Sequence, residues 1–351
     1  MKACLEDHLP KYSGASRKRG WWLSAFGFLL FLSFLLSIRS GSFDISLIDV
    51  LTGNVSGAEW YIFWDIRVLR SLMAMAAGAG LGMAGVIIQG ILKNPMASPF
   101  TLGISQGAAF GASFAIIFLG AGSAAASGGG ILTDSPYLTV AGAFLGALLA
   151  MSFIFCVTFF KSRRSETVIL SGLAAGAFFQ AMTMLFQYFA PEAKIAAALF
   201  WTFGDVSKGS YPVFCAIAAA TLFSLAYFTT KSWDFNALLW GQDIGKTLGV
   251  DIKRLNLISI ALVAVLTAVI TAFLGIIGFI GLIAPHIARI FTGHDNRFLI
   301  PMSAVMGALV LNGSDMISRA LVPPAVIPVG IITSFWGIIV FIYLILRREA
   351  W

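Results

Sequence analysis

The sequence predicts an all-helical integral membrane protein, and three observations predict it. The chain is far too apolar for water, its apolar residues fall in long solid runs, and its basic residues are distributed unevenly between the connecting loops. Of 351 residues, 59% are hydrophobic and 11% are charged, with mean hydropathy +0.91. A soluble domain carries about 45–50% apolar and about 25% charged residues. A chain of this length cannot hide that apolar surface from water, whereas lipid-facing positions need to be apolar. The runs are unbroken rather than alternating, which argues against a barrel.

A spanning helix needs roughly 20 residues. Ten runs meet that length: 21–38, 68–91, 100–119, 137–160, 167–190, 211–230, 255–274, 276–292, 299–316 and 329–346. The chain therefore divides into a polar, basic tail at 1–20, a ten-helix membrane domain at 21–346 and a short tail at 347–351. No small-residue cleavage site follows the first run, so it reads as a retained helix. Segments 42–60 and 191–208 are long enough for short interfacial helices, and the Gly/Ala/Ser run within 120–136 reads as a flexible loop. Runs seven and eight are separated only by Gly275-Ile276-Ile277-Gly278. Within the spans, Gly78 and Gly82, Gly107 and Gly111, Gly142 and Gly146, and Gly172 and Gly176 stand four apart. That spacing allows close helix approach in lipid, either for tight packing or for sliding.

With the N-terminus in the cytoplasm, 17 of the 23 Lys and Arg residues fall on the inside and 6 outside, as the positive-inside rule requires. The same bias accounts for the +7 net charge through anionic lipid headgroups, so nucleic acid is not a needed partner. Cys4, Cys156 and Cys215 are scattered, which indicates neither a disulfide framework nor a metal cluster. No cofactor is implied.

Candidate chemistry is sparse. Gly241-Gln242-Asp243-Ile244-Gly245-Lys246-Thr247 approaches a phosphate-binding loop but has three residues between its glycines where four are required. His286 and His294 are eight residues apart, and structural hydrogen bonding explains them better than a metal. No catalytic set emerges, so the chain does not read as an enzyme. Spans are nearly free of ionisable groups, with Asp315 the one acidic exception. Ion-driven carriers use such groups as relays, so a secondary transporter is the weaker reading and a separate ATPase the better energy source.

Several ordered motifs then carry a resemblance. They are Arg67-Val68-Leu69-Arg70, Gly85-Val86-Ile87-Ile88-Gln89, Lys93-Asn94-Pro95-Met96-Ala97-Ser98-Pro99, Leu102-Gly103-Ile104-Ser105-Gln106-Gly107, Gly278-Phe279-Ile280-Gly281-Leu282-Ile283-Ala284-Pro285-His286, Asp315-Met316-Ile317-Ser318-Arg319 and Pro328-Val329-Gly330. Over about residues 20–346 the chain resembles the FecCD family, permease subunits of bacterial ABC importers for iron-siderophores, haem and cobalamin. The resemblance implies a type II importer fold of ten helices in the inner membrane, with both termini cytoplasmic. It also implies a permease dimer with the path on its two-fold axis, two ATPase subunits inside and a substrate-binding protein outside. Ferric siderophore is the expected cargo, with haem, cobalamin or an oxyanion such as molybdate as alternatives. Arg67, Arg70 and Arg319 match the arginines that dock the binding protein. Segment 231–254 matches the two short helices that enter the ATPase, which gives Gly241, Asp243, Ile244, Gly245, Lys246, Leu248 and Gly249 a coupling role. There Gly241 and Gly249 suit turns, and Leu238, Leu239, Ile244 and Leu248 offer an apolar face. Gln89, Asn94, Pro95, Gly103, Gly107, Gly281, Pro285, His286, Asp315, Pro328 and Gly330 match motif positions of structural or gating character. The chain departs from the family pattern at Leu69, where Pro is usual, at Met96 in place of Leu, and at Val326 in place of an acidic residue.

Overall fold

The computed structural model describes the whole chain except residues 1, 41–48, 51–52, 54, 122, 125–130, 133–135, 161–164, 324 and 347–351. Most of the glycine-rich loop, part of 42–60 and the C-terminal tail therefore lie outside the described residues.

The chain folds as helices joined by short connections. α1 (Lys2–Arg39) is followed by α2 (Gly57–Tyr61), a π-helical turn (Ile62–Val68) and α3 (Leu69–Leu92). Then come α4 (Ile104–Phe118), α5 (Pro136–Phe160), α6 (Ser165–Tyr188), α7 (Glu192–Thr202) and α8 (Tyr211–Thr230). Two short helices, α9 (Ser232–Leu239) and α10 (Gln242–Thr247), lead to α11 (Ile252–Leu274), α12 (Ile280–Thr292), α13 (Asn296–Ala320) and α14 (Val329–Leu346). The only strand pairing among the described residues is a two-residue antiparallel ladder, Ser123–Ala124 with Ile131–Leu132.

Seven helices among the described residues are long and apolar enough to cross a membrane, including Ser16–Arg39 of α1 and the continuous Gly57–Leu92. Three further apolar helices fall short of that length, two of them because they start later than expected; α14 starts at Val329, as expected. α4 starts at Ile104, α12 runs Ile280–Thr292, and the apolar part of α14 is Val329–Tyr343. In each case irregular backbone precedes the helix: the turn before α4 ends at Gly103, and Gly275 (φ +80°) and Phe279 (φ +65°) break the chain between α11 and α12. The broken pieces satisfy one another. Asp205 N–H donates to the Leu274 carbonyl at 2.8 Å, Ile276 N–H to Thr202 at 3.3 Å and Gly330 N–H to Gly204 at 2.9 Å. Non-helical backbone is tolerated at membrane depth where protein supplies such partners.

The first helix continues back to Lys2, through residues read as a tail. The second begins at Gly57 because Ser56 and Glu59 form a capping box: Ser56 N–H donates to Glu59 at 2.7 Å and Glu59 N–H to Ser56 Oγ at 3.3 Å.

Packing follows the glycines. α3 lies along α13 and α12, and α4 lies along α5 and α6, with α11 touching both groups. A methyl group added at Gly78 or Gly82 would land on backbone of α13 near Gly307, and one at Gly85 on the Gly281 carbonyl of α12. Gly107 and Gly111 likewise meet Gly146 and Gly142 of α5. Backbones this close gain dispersion contact in place of a hydrophobic drive that lipid cannot provide. The glycine pairs are therefore packing surfaces in this conformation. Between them Met73, Met83, Ile87, Leu266 and Ile270 are fully buried.

Candidate functional site

Three arginines and two aspartates converge at one end of the bundle. Arg70, in the first turn of α3, donates from Nε to Asp315 Oδ1 at 2.8 Å, and its other arm stands 3.8 Å from Asp205. Arg319, one turn beyond Asp315 on α13, brings its Nε to 3.1 Å from Asp315 Oδ2. Its remaining arms donate to the Ser40 carbonyl at 2.8 Å and to Ser37 Oγ at 2.7 Å on α1. Arg67 donates to the Ile38 carbonyl at 3.2 Å. The sequence reading places these arginines at the outside ends of helices, in a docking role. The structure keeps the ends but turns the guanidinium groups inward: Arg67 is 4% exposed, Arg70 8% and Asp315 0%. The π turn ahead of α3 aims Arg67 at α1, an effect that a regular helical period cannot anticipate. These residues tie α1, α3 and α13 together; the exposed arginine beside them is Arg39.

The inner motif residues explain one another. Pro285 lies inside α12 and has no N–H to offer the carbonyl four residues earlier. That carbonyl belongs to Gly281, and Gln89 Nε2 reaches it from α3 at 3.4 Å. Gln89, Gly281 and Pro285 thus form one device: a missing backbone donor replaced from the neighbouring helix. His286 Nδ1 bonds the Leu282 carbonyl at 2.7 Å within α12, which fits the structural expectation. Asn94 accepts from Met96 N–H at 2.8 Å, and Ser98 and Thr101 bond reciprocally. These turns carry the chain from α3 into Gly103, which rests on Gly172 and Gly176 of α6.

Segment 231–251 forms the two expected short helices. Gly241 (φ +117°) separates α9 from α10 and Gly249 (φ +83°) ends the second, conformations that favour glycine. Trp240 is 77% exposed and Leu248 67%, with Ile244 and Leu239 also exposed. Leu238 is instead buried, so it belongs to the core and not to the apolar tip. Gly245 packs on Ile252 and Leu238, while Asp243 and Lys246 pair at the surface at 3.6 Å.

One cluster at this end escapes the sequence reading. Asp295 caps α13 and gathers Arg19, Asn236 and Arg297. Burial raises its pKa, but hydrogen bonds from Arg297 and Asn236 and the Arg297 charge outweigh that and hold it at about 2. The available signal was an Asp directly before an apolar helical run, the mark of an N-cap.

Two hollows flank the Phe203–Gly204 junction. One, about 600 Å³, combines Gln106, Gln180, Thr183 and Gln187 with Phe100, Phe335 and Ile338. The other, about 520 Å³, is lined by Tyr137, Trp201, Phe273, Asp205, Lys208 and Pro328. Lys208 is exposed at this hollow, yet burial of its amine by surrounding protein lowers its pKa to about 8 against the opposing charge of Asp205. Its amine donates to the Phe203 carbonyl at 2.8 Å. Gly330 lines the first hollow and Pro328 the second.

Among the described residues no group of three or more His, Cys, Asp and Glu could hold a metal. The arrangement therefore offers two surfaces at opposite ends and a mixed-polarity hollow.

Known proteins resemble this chain over most of its length. The pattern of the FecCD transport family matches residues 29–347. The chain is 44% identical over 321 residues to MJ0087 of Methanocaldococcus jannaschii, named as an ABC transporter permease protein, covering 91% of this chain and 92% of that one. It is 31% identical over 330 residues to HmuU of Yersinia pestis, a hemin transport system permease protein, covering 92% and 95%. It is 33% identical over 328 residues to YfmE of Bacillus subtilis, an Fe(3+)-citrate import system permease protein, covering 92% and 93%. A solved metal-chelate type ABC transporter in an inward-facing conformation superposes with TM-score 0.81 at 27% identity, over 93% of this chain and 99% of that one. The chain belongs to the FecCD transport family and is a multi-pass membrane permease of the ABC transporter type.

Proposed function

We propose that this chain is the permease subunit of a binding-protein-dependent importer, driven by a separate ATPase, that moves a ferric siderophore across the inner membrane. The observation that carries the ATPase assignment is the apolar tip of α9–α10. Leu239, Trp240, Ile244 and Leu248 stand exposed beside the surface pair Asp243–Lys246. Large apolar groups clustered at a loop of mixed charge suit insertion into a partner's groove. With the basic bias placing 231–254 in the cytoplasm, the ATPase meets the chain there and the binding protein meets the Arg319 end. The chain itself carries out no chemistry.

The cargo assignment rests on relatives. YfmE is named for Fe(3+)-citrate, YfiZ of Bacillus subtilis for siderophore and FhuB of Bacillus subtilis for iron(3+)-hydroxamate. HmuU is named for hemin and a Halobacterium salinarum relative for cobalamin, so haem and cobalamin are the second reading. The hollow lined by Gln106, Gln180, Thr183 and Gln187 forms one wall of the path. Amide and hydroxyl groups among phenylalanines suit a bulky chelate with polar rims and an apolar body.

The test is co-purification with the ATPase, followed by uptake in vesicles. Ile244→Asp or Leu248→Asp is expected to lose the ATPase while the permease still inserts. Full ATPase retention in both variants sinks the docking assignment. Uptake of labelled cobalamin or haem, with none of ferric siderophore, replaces the cargo and leaves the rest intact.

A further inference from the structure

We infer that Asp295 and Asn236 form the joint through which movement of α9–α10 is passed into α13, which makes them positioning residues for coupling ATP hydrolysis to transport. The inference rests on the proposal that the ATPase docks on α9–α10.

The joint is built from both sides. Asn236, in the middle of α9, uses each end of its amide on consecutive residues at the start of α13. Its Nδ2 donates to Asp295 Oδ1 at 2.9 Å. Its Oδ1 accepts from Asn296 N–H at 2.8 Å and from Asn296 Nδ2 at 3.0 Å. Gripping the start of a helix through donor and acceptor fixes orientation as well as position. Asp295 meanwhile caps α13 by accepting from Arg297 N–H at 3.2 Å. It also takes the Arg297 guanidinium in a two-armed pair, Nε at 3.0 Å and the terminal nitrogen at 2.6 Å. Such pairs define geometry as well as energy. The ring closes back on α9, because Arg297 lies over the Trp233 ring at 4.3 Å. A third element joins through Arg19 of α1, 3.2 Å from Asp295.

What the joint moves is a strut. α13 has 25 residues, so its ends are ~37 Å apart. It is packed backbone to backbone on α3 through Gly78 and Gly307. Its far end carries Asp315 and Arg319, which hold Arg70 of α3, Ser37 of α1 and the Ser40 carbonyl just beyond α1. A displacement of α9 therefore reaches the opposite end along one helix. α9 is also seated by apolar contact, with Phe235 against Phe228 of α8 at 6.2 Å between ring centroids. Apolar contact is non-directional: it keeps α9 seated without fixing its alignment to α13. Loss of Asn236 should leave α9 folded and docked but mechanically loose.

The experiment uses the full complex in proteoliposomes: permease, ATPase and loaded binding protein. Asn236→Ala and Asp295→Asn are compared with wild type for ATPase co-purification, ATP hydrolysis, melting temperature and cargo moved per ATP. Both variants are expected to retain the ATPase and hydrolyse ATP, while cargo per ATP falls by about five-fold or more, the lower end of typical coupling between sites. A wild-type ratio in an assembled complex overturns the inference. Loss of the ATPase itself also overturns it, because Asn236 would then belong to the docking surface. If neither variant yields a folded permease by melting temperature, Trp233→Leu, which removes only the ring beneath Arg297, decides the matter on the same ratio. Failure of the docking proposal is seen separately, as ATPase retained by Ile244→Asp.

Discussion

At the residue scale, the buried charges decide most. Asp315 is fully buried between Arg70 and Arg319. Removing one partner of a buried pair leaves an uncompensated charge and costs about 3–5 kcal/mol. Asp315→Ala is therefore expected to lower the melting temperature of the detergent-solubilised permease sharply; an unchanged melting curve contradicts this role. By the same geometry, a double variant Arg67→Glu with Arg319→Glu would break the helix ties along with any docking contact. Arg39→Glu, on an exposed side chain, isolates docking: it is expected to weaken binding-protein affinity modestly, as surface pairs are worth about 0–1 kcal/mol. Asp295 makes a pH prediction. Its folded pKa of about 2 lies below the ordinary 3.8, so its stabilisation is present above about 4 and is lost as pH falls towards 2. The stability gap between wild type and Asp295→Asn should be constant from pH 5 to 8 and should narrow below 4. At this scale the sequence was half legible. It named Arg67, Arg70, Arg319 and Asp315 without revealing that Asp315 holds both Arg70 and Arg319, because Arg70 and Asp315 meet across 245 positions of chain.

At the element scale, glycines separate into two kinds that sequence alone does not distinguish. Gly85 has the Gly281 backbone against it, whereas a methyl group at Gly90 would meet nothing within 4 Å, although both lie in α3. Gly85→Ala is expected to force α3 from α12 and prevent stable folding, while Gly90→Ala gains roughly 0.5–1 kcal/mol from helix propensity. Melting of the two variants checks the contrast, and equal behaviour would refute it. The long helices were legible because length and hydropathy suffice to identify them. α4 and α12 were overestimated because apolar residues continue through the irregular backbone before each helix, and hydropathy does not register a turn. Segment 42–60 was read as room for a separate short helix, whereas the turns that Ser56 and Glu59 start run on from Gly57 into α3.

At the scale of the whole molecule, the hollow between α4, α6 and α14 bears on assembly. Its volume of about 600 Å³ falls within the ordinary range of small-molecule sites, about 300–1,000 Å³. It lies open at the surface, and the residues lining it include exposed Met184 on α6 and Phe335 and Ile338 on α14. A bulky chelate resting there would touch protein on one side and lipid on the other. Lipid cannot satisfy the polar rim of such a cargo. A second copy facing the first removes that penalty by supplying a matching wall with the same amides and hydroxyls. Closed two-fold pairing is also the commonest way for identical chains to meet. The intact complex is therefore expected to contain two permease chains and two ATPase chains by native mass measurement. Trp substitution at Gln187, within the hollow, should block uptake while leaving that mass unchanged. A complex that transports with one permease chain would refute the pairing. A Gln187→Trp complex that transports normally would remove this hollow from the path while leaving the dimer standing.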